Sequence, residues 1–337
     1  MSYELLGITV LWIFLYGYLI VASIDFGAGF FSYYSRITKK RHALHHIIQR
    51  YLSPVWEVTN VFLVFFFVGI IGFFPDTAYY YGTALLIPGS ISIILLAIRG
   101  SYYAFATYGA KDSHIYSLLY GATGLLIPAS LTTVLTISEG GYLVVDNGSV
   151  TLLYGELFTS PYSWGVVFLA IFSVLFISAA FLTYYADRAK DSQALEIVRR
   201  YALSWAFPTI IMAFIVFFLL GQRNPVHFAN MMDLWWMFAL SLVSFAAAVW
   251  LIWKRRFLGV AFIFVMLQFF TAFFAYGASH LPYLLFPYLT IYDGFTNESM
   301  AIALIAAFIG GLLMLIPSLY LLMRLFLFDA EYLEGRK

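Results

Sequence analysis

The stretch LLGITVLWIFLYGYLIVASIDFGAGFF, residues 5–31, decides the fold, because it is apolar along nearly its whole length. A helix of about 20 apolar residues crosses the roughly 30 Å hydrocarbon core of a membrane, so this run is predicted to span one. It also carries a carboxylate, Asp25, followed by Gly27 and Gly29. Glycines remove side chains beside the carboxylate and would let a neighbouring helix approach closely.

The composition of the whole chain agrees with a membrane protein. Of its 337 residues 63% are hydrophobic and only 10% are charged, whereas soluble domains carry about 25% charged residues. With no cysteine, disulfides and thiolate metal ligands are excluded. No phosphate-binding loop, dinucleotide fingerprint or zinc-protease motif occurs, and no nucleic-acid partner is indicated.

Apolar windows of about 19 residues recur along the chain and predict an all-α, polytopic protein with one integral membrane domain, residues 1–337. The nine predicted transmembrane helices cover residues 5–33, 52–74, 79–104, 115–137, 161–186, 201–221, 232–253, 257–279 and 299–326. The two longest remaining loops, 138–160 and 280–298, are expected to cap one surface or to pack on a partner.

Positive charge is distributed on one side of this arrangement. Of the 18 Lys and Arg residues, all except Arg223 fall in loops or at helix ends that the nine spans place on the same side. Because cytoplasmic loops retain Lys and Arg, the N-terminus is predicted outside and the C-terminus in the cytoplasm. Loops 138–160 and 280–298 are then on the outer face.

Two carboxylates, Asp25 and Glu57, lie inside predicted spans. At 1.5 Å per residue they sit roughly 13 Å and 9 Å from the cytoplasmic ends of their helices. A carboxylate at such depth costs several kcal/mol unless it is protonated, paired or hydrated, so either could accept and pass protons. The alternative is a hydrogen bond between helices, with Thr59 or Asn60 as a local partner of Glu57.

The stretch SPVWEVTN, residues 53–60, predicts a helix start, with Ser53 as N-cap and Pro54 at the first helical position. Glu57 would then lie in the first turns, where the helix dipole favours negative charge. Arg99, near the cytoplasmic end of the third predicted span, could pair with either carboxylate. Extension of its side chain to the lipid headgroups is the favoured expectation.

The six histidines lie at predicted membrane edges or in loops. They are His42, His45, His46 and His114 inside, and His227 and His280 outside. Since no histidine lies in mid-span and cysteine is absent, no haem, other cofactor or metal ion is predicted to bind this chain.

Three motifs and the layout resemble subunit II of the cytochrome bd quinol oxidases: DFGAG (25–29), SPVWEVTNVFLV (53–64) and FPYLTIYDGFTNESMAIAL (286–304). The resemblance implies two four-helix bundles, residues 1–137 and 161–279, and a peripheral helix, 299–326. It also implies a bacterial plasma-membrane complex that reduces dioxygen to water. Haem b, haem d and quinol chemistry would belong to a partner, subunit I, beside membrane lipid, quinone and a possible small single-helix subunit.

The same resemblance implies that Glu57 and Asp25 belong to a proton pathway from the cytoplasm, supported by Trp56, Asn60 and Arg99. Many relatives carry Asp where Glu57 stands, and a second Asp that the family often has before Asp25 is missing from VASID, residues 21–25. Two other functions stay open: a proton-coupled secondary transporter that uses Asp25 and Glu57, and a structural membrane scaffold.

Overall fold

A computed structural model describes the backbone of residues 2–38, 41–108, 114–146 and 149–326. It describes the side chains in these ranges except those of 41–43, 45–47, 49–58, 103–108, 323 and 325–326. The helices are α1 (Tyr3–Ile37), α2 (Arg41–Phe73), α3 (Asp76–Ala84), α4 (Leu86–Tyr108), α5 (His114–Leu131), α6 (Thr133–Ser138), α7 (Tyr154–Thr159), α8 (Pro161–Arg188), α9 (Ser192–Arg223), α10 (Pro225–Asp233), α11 (Trp235–Lys254), α12 (Leu258–His280) and α13 (Glu298–Phe326). The strands are β1 (Leu143–Asp146), β2 (Ser149–Leu152), β3 (Tyr283–Leu285) and β4 (Leu289–Thr290).

Seven helical segments within the described ranges are long and apolar enough to cross a membrane: α1, α5 joined to α6, α8, α9, α11, α12 and α13. The pair α3 and α4 makes an eighth if it is one broken span. In α2 the apolar segment described is shorter, Thr59–Phe73. The prediction of an all-α, multi-pass membrane protein is confirmed, whereas the count of nine spans and the N-outside orientation stay predictions.

The predicted start of the second helix is wrong. Helix α2 runs without a break from Arg41 to Phe73, so Ser53 and Pro54 lie in its interior. A proline inside a membrane helix is tolerated because neighbouring groups satisfy the backbone carbonyl that it leaves free. Because the dipole effect fades within the first turn, it no longer bears on the ionisation of Glu57.

The third predicted span is broken. Helix α3 ends at Ala84 and α4 begins at Leu86, with a bend of 79° between them. Pro88 lies in the first turn of α4, where its missing N–H deprives the helix of no internal hydrogen bond. Ala84 is buried with Tyr142 and Leu285 in a separate apolar cluster, so α3 lies against the strands at the end of the bundle.

The described residues of loops 138–160 and 280–298 contribute most of this apolar cluster, which we call the cap. Strands β1 and β2 pair antiparallel, as do β3 and β4. Tyr142, Leu152 and Leu289 are buried between them. The described residues of these loops pack together at one end of the bundle, whereas their place on the outer face stays a prediction. The four short strands are a feature that hydropathy does not predict.

Helix α1 packs at the centre of the bundle, against α2, α5, α8, α12 and α13. Its antiparallel register with α2 is set where Gly7 meets the ring of Phe73 and Gly17 meets the ring of Phe62. Continued along both helices, this register brings the backbone of Glu57 level with residue 23, about 3 Å along the axis from Asp25. This extrapolated register is compatible with the predicted similarity in depth of the two acids, which stays a prediction.

Gly124→Ala is expected to destabilise the protein by about 1–3 kcal/mol, the usual cost of overpacking. A methyl group at this α5 position would overlap the carbonyl oxygen of Phe26 on α1, and backbone cannot move aside as a flexible side chain does. The thermal unfolding midpoint of the purified protein in detergent measures the effect. Gly82→Ala is the matched control, since no atom lies within 4 Å of its new methyl. Equal midpoints for the two variants would contradict the predicted tight contact.

Candidate functional site

Asp25 is held in a buried ion pair at the junction of α1, α4 and α5. Its Oδ2 accepts a hydrogen bond from Arg99 Nε at 2.9 Å, and its side chain is 2% exposed. Arg99 Nη2 donates to the Asp25 backbone carbonyl at 2.7 Å, and the Tyr120 hydroxyl donates to Oδ1 at 3.3 Å. Both the carboxylate and the backbone of Asp25 are therefore fixed by α4 and α5.

The rest of the Arg99 guanidinium is also paired. Nη1 donates to the carbonyl of Tyr120 at 2.9 Å and to Thr123 Oγ1 at 3.3 Å. The guanidinium carbon lies 4.2 Å from the centre of the Tyr120 ring and 5.1 Å from that of Phe26, within the range of cation–π attraction. Every guanidinium nitrogen thus has an acceptor, as a buried charge requires.

The glycines beside Asp25 make this junction possible. A methyl group on Gly29 would lie 2.9 Å from the Tyr120 carbonyl and 3.0 Å from Arg99 Nη2. One on Gly27 would overlap the side chain of Ser178 on α8. The prediction that these glycines admit close helix approach is confirmed.

The expectation that Arg99 extends to the headgroups is wrong. Its side chain is only 1% exposed, and it turns inward to Asp25. The physical reason is the carboxylate itself: a buried anion and a buried cation that meet satisfy each other, whereas Asp25 alone would remain an uncompensated charge. The other option considered for Arg99, pairing with a carboxylate, is what the structure has.

The remaining predicted site residues lie on α2. Asn60 is half-buried. The side chains of Trp56 and Glu57 lie outside the described residues, although their backbone belongs to α2. The structure therefore brings Asp25 and Arg99 together and adds Tyr120, Thr123 and Phe26, which sequence reasoning did not select.

A second buried polar cluster lies at the capped end of the bundle. Glu139 follows α6, and its carboxylate oxygens both lie 2.9 Å from His227 Nδ1 on α10. His280 Nδ1, at the end of α12, lies 3.4 Å from His227 Nδ1 and 3.7 Å from Glu139 Oε1. Tyr276 donates its hydroxyl to Oε1, and Asn224 Nδ2 donates to Oε2 at 3.0 Å.

The electrostatics of this cluster favour an ionised Glu139. Burial opposes ionisation, but the hydrogen bond to His227, the charge interaction with His280 and the hydroxyl of Tyr276 together hold the Glu139 pKa below its usual value. Glu139 and His227 are 88 residues apart, and His227 and His280 are 53 apart. No motif spacing in the sequence predicts the cluster. The available signal is that three ionisable residues lie at the predicted outer ends of spans.

Comparisons with known proteins agree over the full length of the chain. A family model described as cytochrome bd terminal oxidase subunit II matches residues 3–326. The chain is 33% identical over 340 residues to the putative cytochrome bd menaquinol oxidase subunit II of Bacillus subtilis (strain 168), covering 98% of this chain and 97% of that protein. It also resembles a chain in the structure of bd oxidase from Geobacillus thermodenitrificans, with a TM-score of 0.86, 63% identity, and coverage of 98% and 100%. The chain belongs to the cytochrome bd terminal oxidase subunit II family.

Proposed function

We propose that this chain is the haem-free subunit II of a quinol:oxygen oxidoreductase in a bacterial plasma membrane. In this proposal it stabilises a haem-bearing subunit I and contributes to proton uptake from the cytoplasm for the reduction of dioxygen to water. The observation that supports the proton role is the buried Asp25 carboxylate, which lies in a predicted span and is bonded by Arg99 and by the Tyr120 hydroxyl. The name of the Bacillus subtilis relative favours menaquinol as the electron donor.

Division of labour between the subunits follows from the side chains present. Haem b and haem d, expected in subunit I, would supply the redox chemistry when bound. On this chain, no histidine falls in the middle of a predicted span and cysteine is absent, which supports a haem-free role. Reduction of dioxygen consumes one proton for every electron. These protons must reach the reaction site in the partner subunit through a polar route.

Glu57 and Asp25 have different roles in this route. Asp25 is paired with a cation that does not lose its proton, so we assign it a fixed negative charge that supports the route. Glu57 is the group that binds and releases protons. Trp56 and Asn60 are its neighbours on α2, and the predicted orientation places the entrance on the cytoplasmic side.

Co-purification tests the assignment to an oxidase. A tagged form of this chain is expected to bring down a haem-bearing partner whose complex absorbs in the red and consumes oxygen with a quinol. A small single-helix subunit and bound quinone or lipid would appear in mass spectra of the same preparation. A chain that purifies alone and moves a solute in proteoliposomes would overturn the assignment.

A chain that purifies alone and moves a solute would be the proton-coupled transporter. Such a protein would need broken helices around a substrate site at mid-membrane. The break between α3 and α4 lies beside the cap instead, since Ala84 is buried against its strands. The geometry of the described residues therefore favours the oxidase subunit.

A further inference from the structure

We propose that Glu139, His227 and His280 form a binding site for a divalent transition-metal ion of the Zn²⁺ type at the capped end of the bundle. All three residues are held by the chain's own fold, and this site is separate from the Asp25–Arg99 junction. Two imidazoles and one carboxylate are a ligand set that zinc uses in proteins.

The ligand atoms already have the spacing that an ion requires. Glu139 Oε1, His227 Nδ1 and His280 Nδ1 form a triangle with sides of 2.9, 3.4 and 3.7 Å. A point about 2 Å from all three atoms lies between them, which matches the usual Zn–N and Zn–O distances. The three side chains are therefore close enough together to share one ion.

Hydrogen bonding around His227 assigns a proton to its Nε2 atom. The Ser279 hydroxyl donates to the Tyr276 carbonyl at 2.9 Å, so it accepts from His227 Nε2 at 2.8 Å. The same Nε2 lies 3.2 Å from the Tyr276 carbonyl, which only accepts. Nε2 therefore carries the proton, and in the neutral ring Nδ1 presents a lone pair to the Glu139 carboxylate and to His280 Nδ1.

A metal ion would take the place of the proton that otherwise joins these groups. A proton on His227 Nδ1 would link it to Glu139 at 2.9 Å and to His280 Nδ1 at 3.4 Å, so a protonated cluster is the alternative to a bound ion. A metal ion accepts electron density from all three groups at once. The carboxylate of Glu139 would supply negative charge to a buried divalent ion.

Neighbouring groups orient the ligands as outer-shell partners do in metal sites. The Tyr276 hydroxyl and Asn224 Nδ2 each bond one oxygen of Glu139. The nearby cation Arg223 is directed elsewhere: its Nη2 donates to the carbonyl of Gly140 at 3.0 Å. It is therefore not the countercharge of the carboxylate among the described contacts.

A small pocket lined by His227, His280, Asn230, Tyr283 and Phe286 adjoins the cluster. The His280 side chain is 11% exposed, and its buried Nε2 has no hydrogen-bond partner among the described residues. An ion with three protein ligands would keep a position for water on this side.

Zinc titration of the purified oxidase complex tests the proposal. The complex is treated with a chelator, passed through a desalting column and titrated with Zn²⁺, and bound zinc is measured by mass spectrometry of the metals. Wild type is expected to bind one zinc per copy of this chain, and zinc is expected to raise its unfolding midpoint by linkage. His280→Ala is expected to weaken binding tenfold or more and to abolish the stabilisation.

His114→Ala is the matched control, because His114 lies at the edge of the Tyr33 ring, outside the cluster, and is exposed. It should bind zinc as wild type does. Haem content and elution volume establish that each variant is assembled. X-ray absorption of the zinc-loaded wild type should show imidazole ligands, a test that needs no variant. The proposal would be overturned by equal zinc binding in wild type and His280→Ala, by the absence of imidazole ligation, or by the absence of zinc uptake in wild type. In the last case the cluster would be a protonated His227–Glu139 pair only.

Discussion

Asp25→Ala is expected to destabilise the folded protein by about 3–5 kcal/mol, because it leaves the buried Arg99 guanidinium without its countercharge. Arg99 keeps its bonds to Tyr120 and Thr123, but Nε loses its acceptor in a site where the side chain is 1% exposed. Arginine does not relieve the strain by losing its proton. The unfolding midpoint of the complex and the yield of assembled complex in membranes measure the effect.

Two controls separate the ion pair from general damage. Glu156→Ala removes an exposed carboxylate on α7 and should change stability by no more than about 0.5 kcal/mol. Asp25→Leu combined with Arg99→Met replaces both charges with apolar groups and should be more stable than either single change. A double variant as unstable as the single variants, or an Asp25→Ala as stable as Glu156→Ala, would contradict the role assigned to the pair.

Glu57→Gln is expected to slow quinol-driven oxygen reduction tenfold or more while haem content stays normal. Glutamine has nearly the shape of glutamate but does not bind and release a proton, so the change removes the exchange step alone. A tenfold loss corresponds to about 1.4 kcal/mol in the barrier. Oxygen consumption per haem, with a saturating quinol, provides the measurement.

Glu57→Asp is the matched control for that experiment, since it shortens the side chain but keeps the acid that many relatives are expected to carry. It should retain most of the wild-type rate. Loss of haem in Glu57→Gln would make the residue structural, and a normal rate would make it dispensable. Either result would remove Glu57 from the proton route.

Hydropathy predicts the long helices of this chain well, because lipid imposes a length and an apolar surface on each span. Hydropathy predicts residues 161–186 as one span, and α8 covers Pro161–Arg188. The family assignment likewise followed from short motifs in the sequence and is shown by the comparisons. The close helix approach at Gly27 and Gly29 was predictable because small residues beside a buried acid have few other uses.

Sequence reasoning failed where contacts between residues distant in the chain determine the structure. Hydropathy places Arg99 near a helix end but does not show that α4 turns it towards Asp25. It does not reveal the bend at Leu85 either, because both arms are apolar and the cap that receives α3 comes from distant loops. Glu139 and His280 are separated by more than a third of the chain, and only the folded structure brings His280 Nδ1 within 3.7 Å of Glu139 Oε1.

Proton uptake during a single turnover tests the central claim most directly. The fully reduced complex is mixed with oxygen, the haem spectrum reports electron transfer, and a pH-sensitive dye reports protons taken from solution. In wild type, proton uptake is expected to keep pace with oxygen reduction; in Glu57→Gln, uptake is expected to be delayed tenfold or more while initial oxygen binding keeps its rate. Uptake at the wild-type rate in Glu57→Gln, with haem intact, would contradict a proton route through this chain.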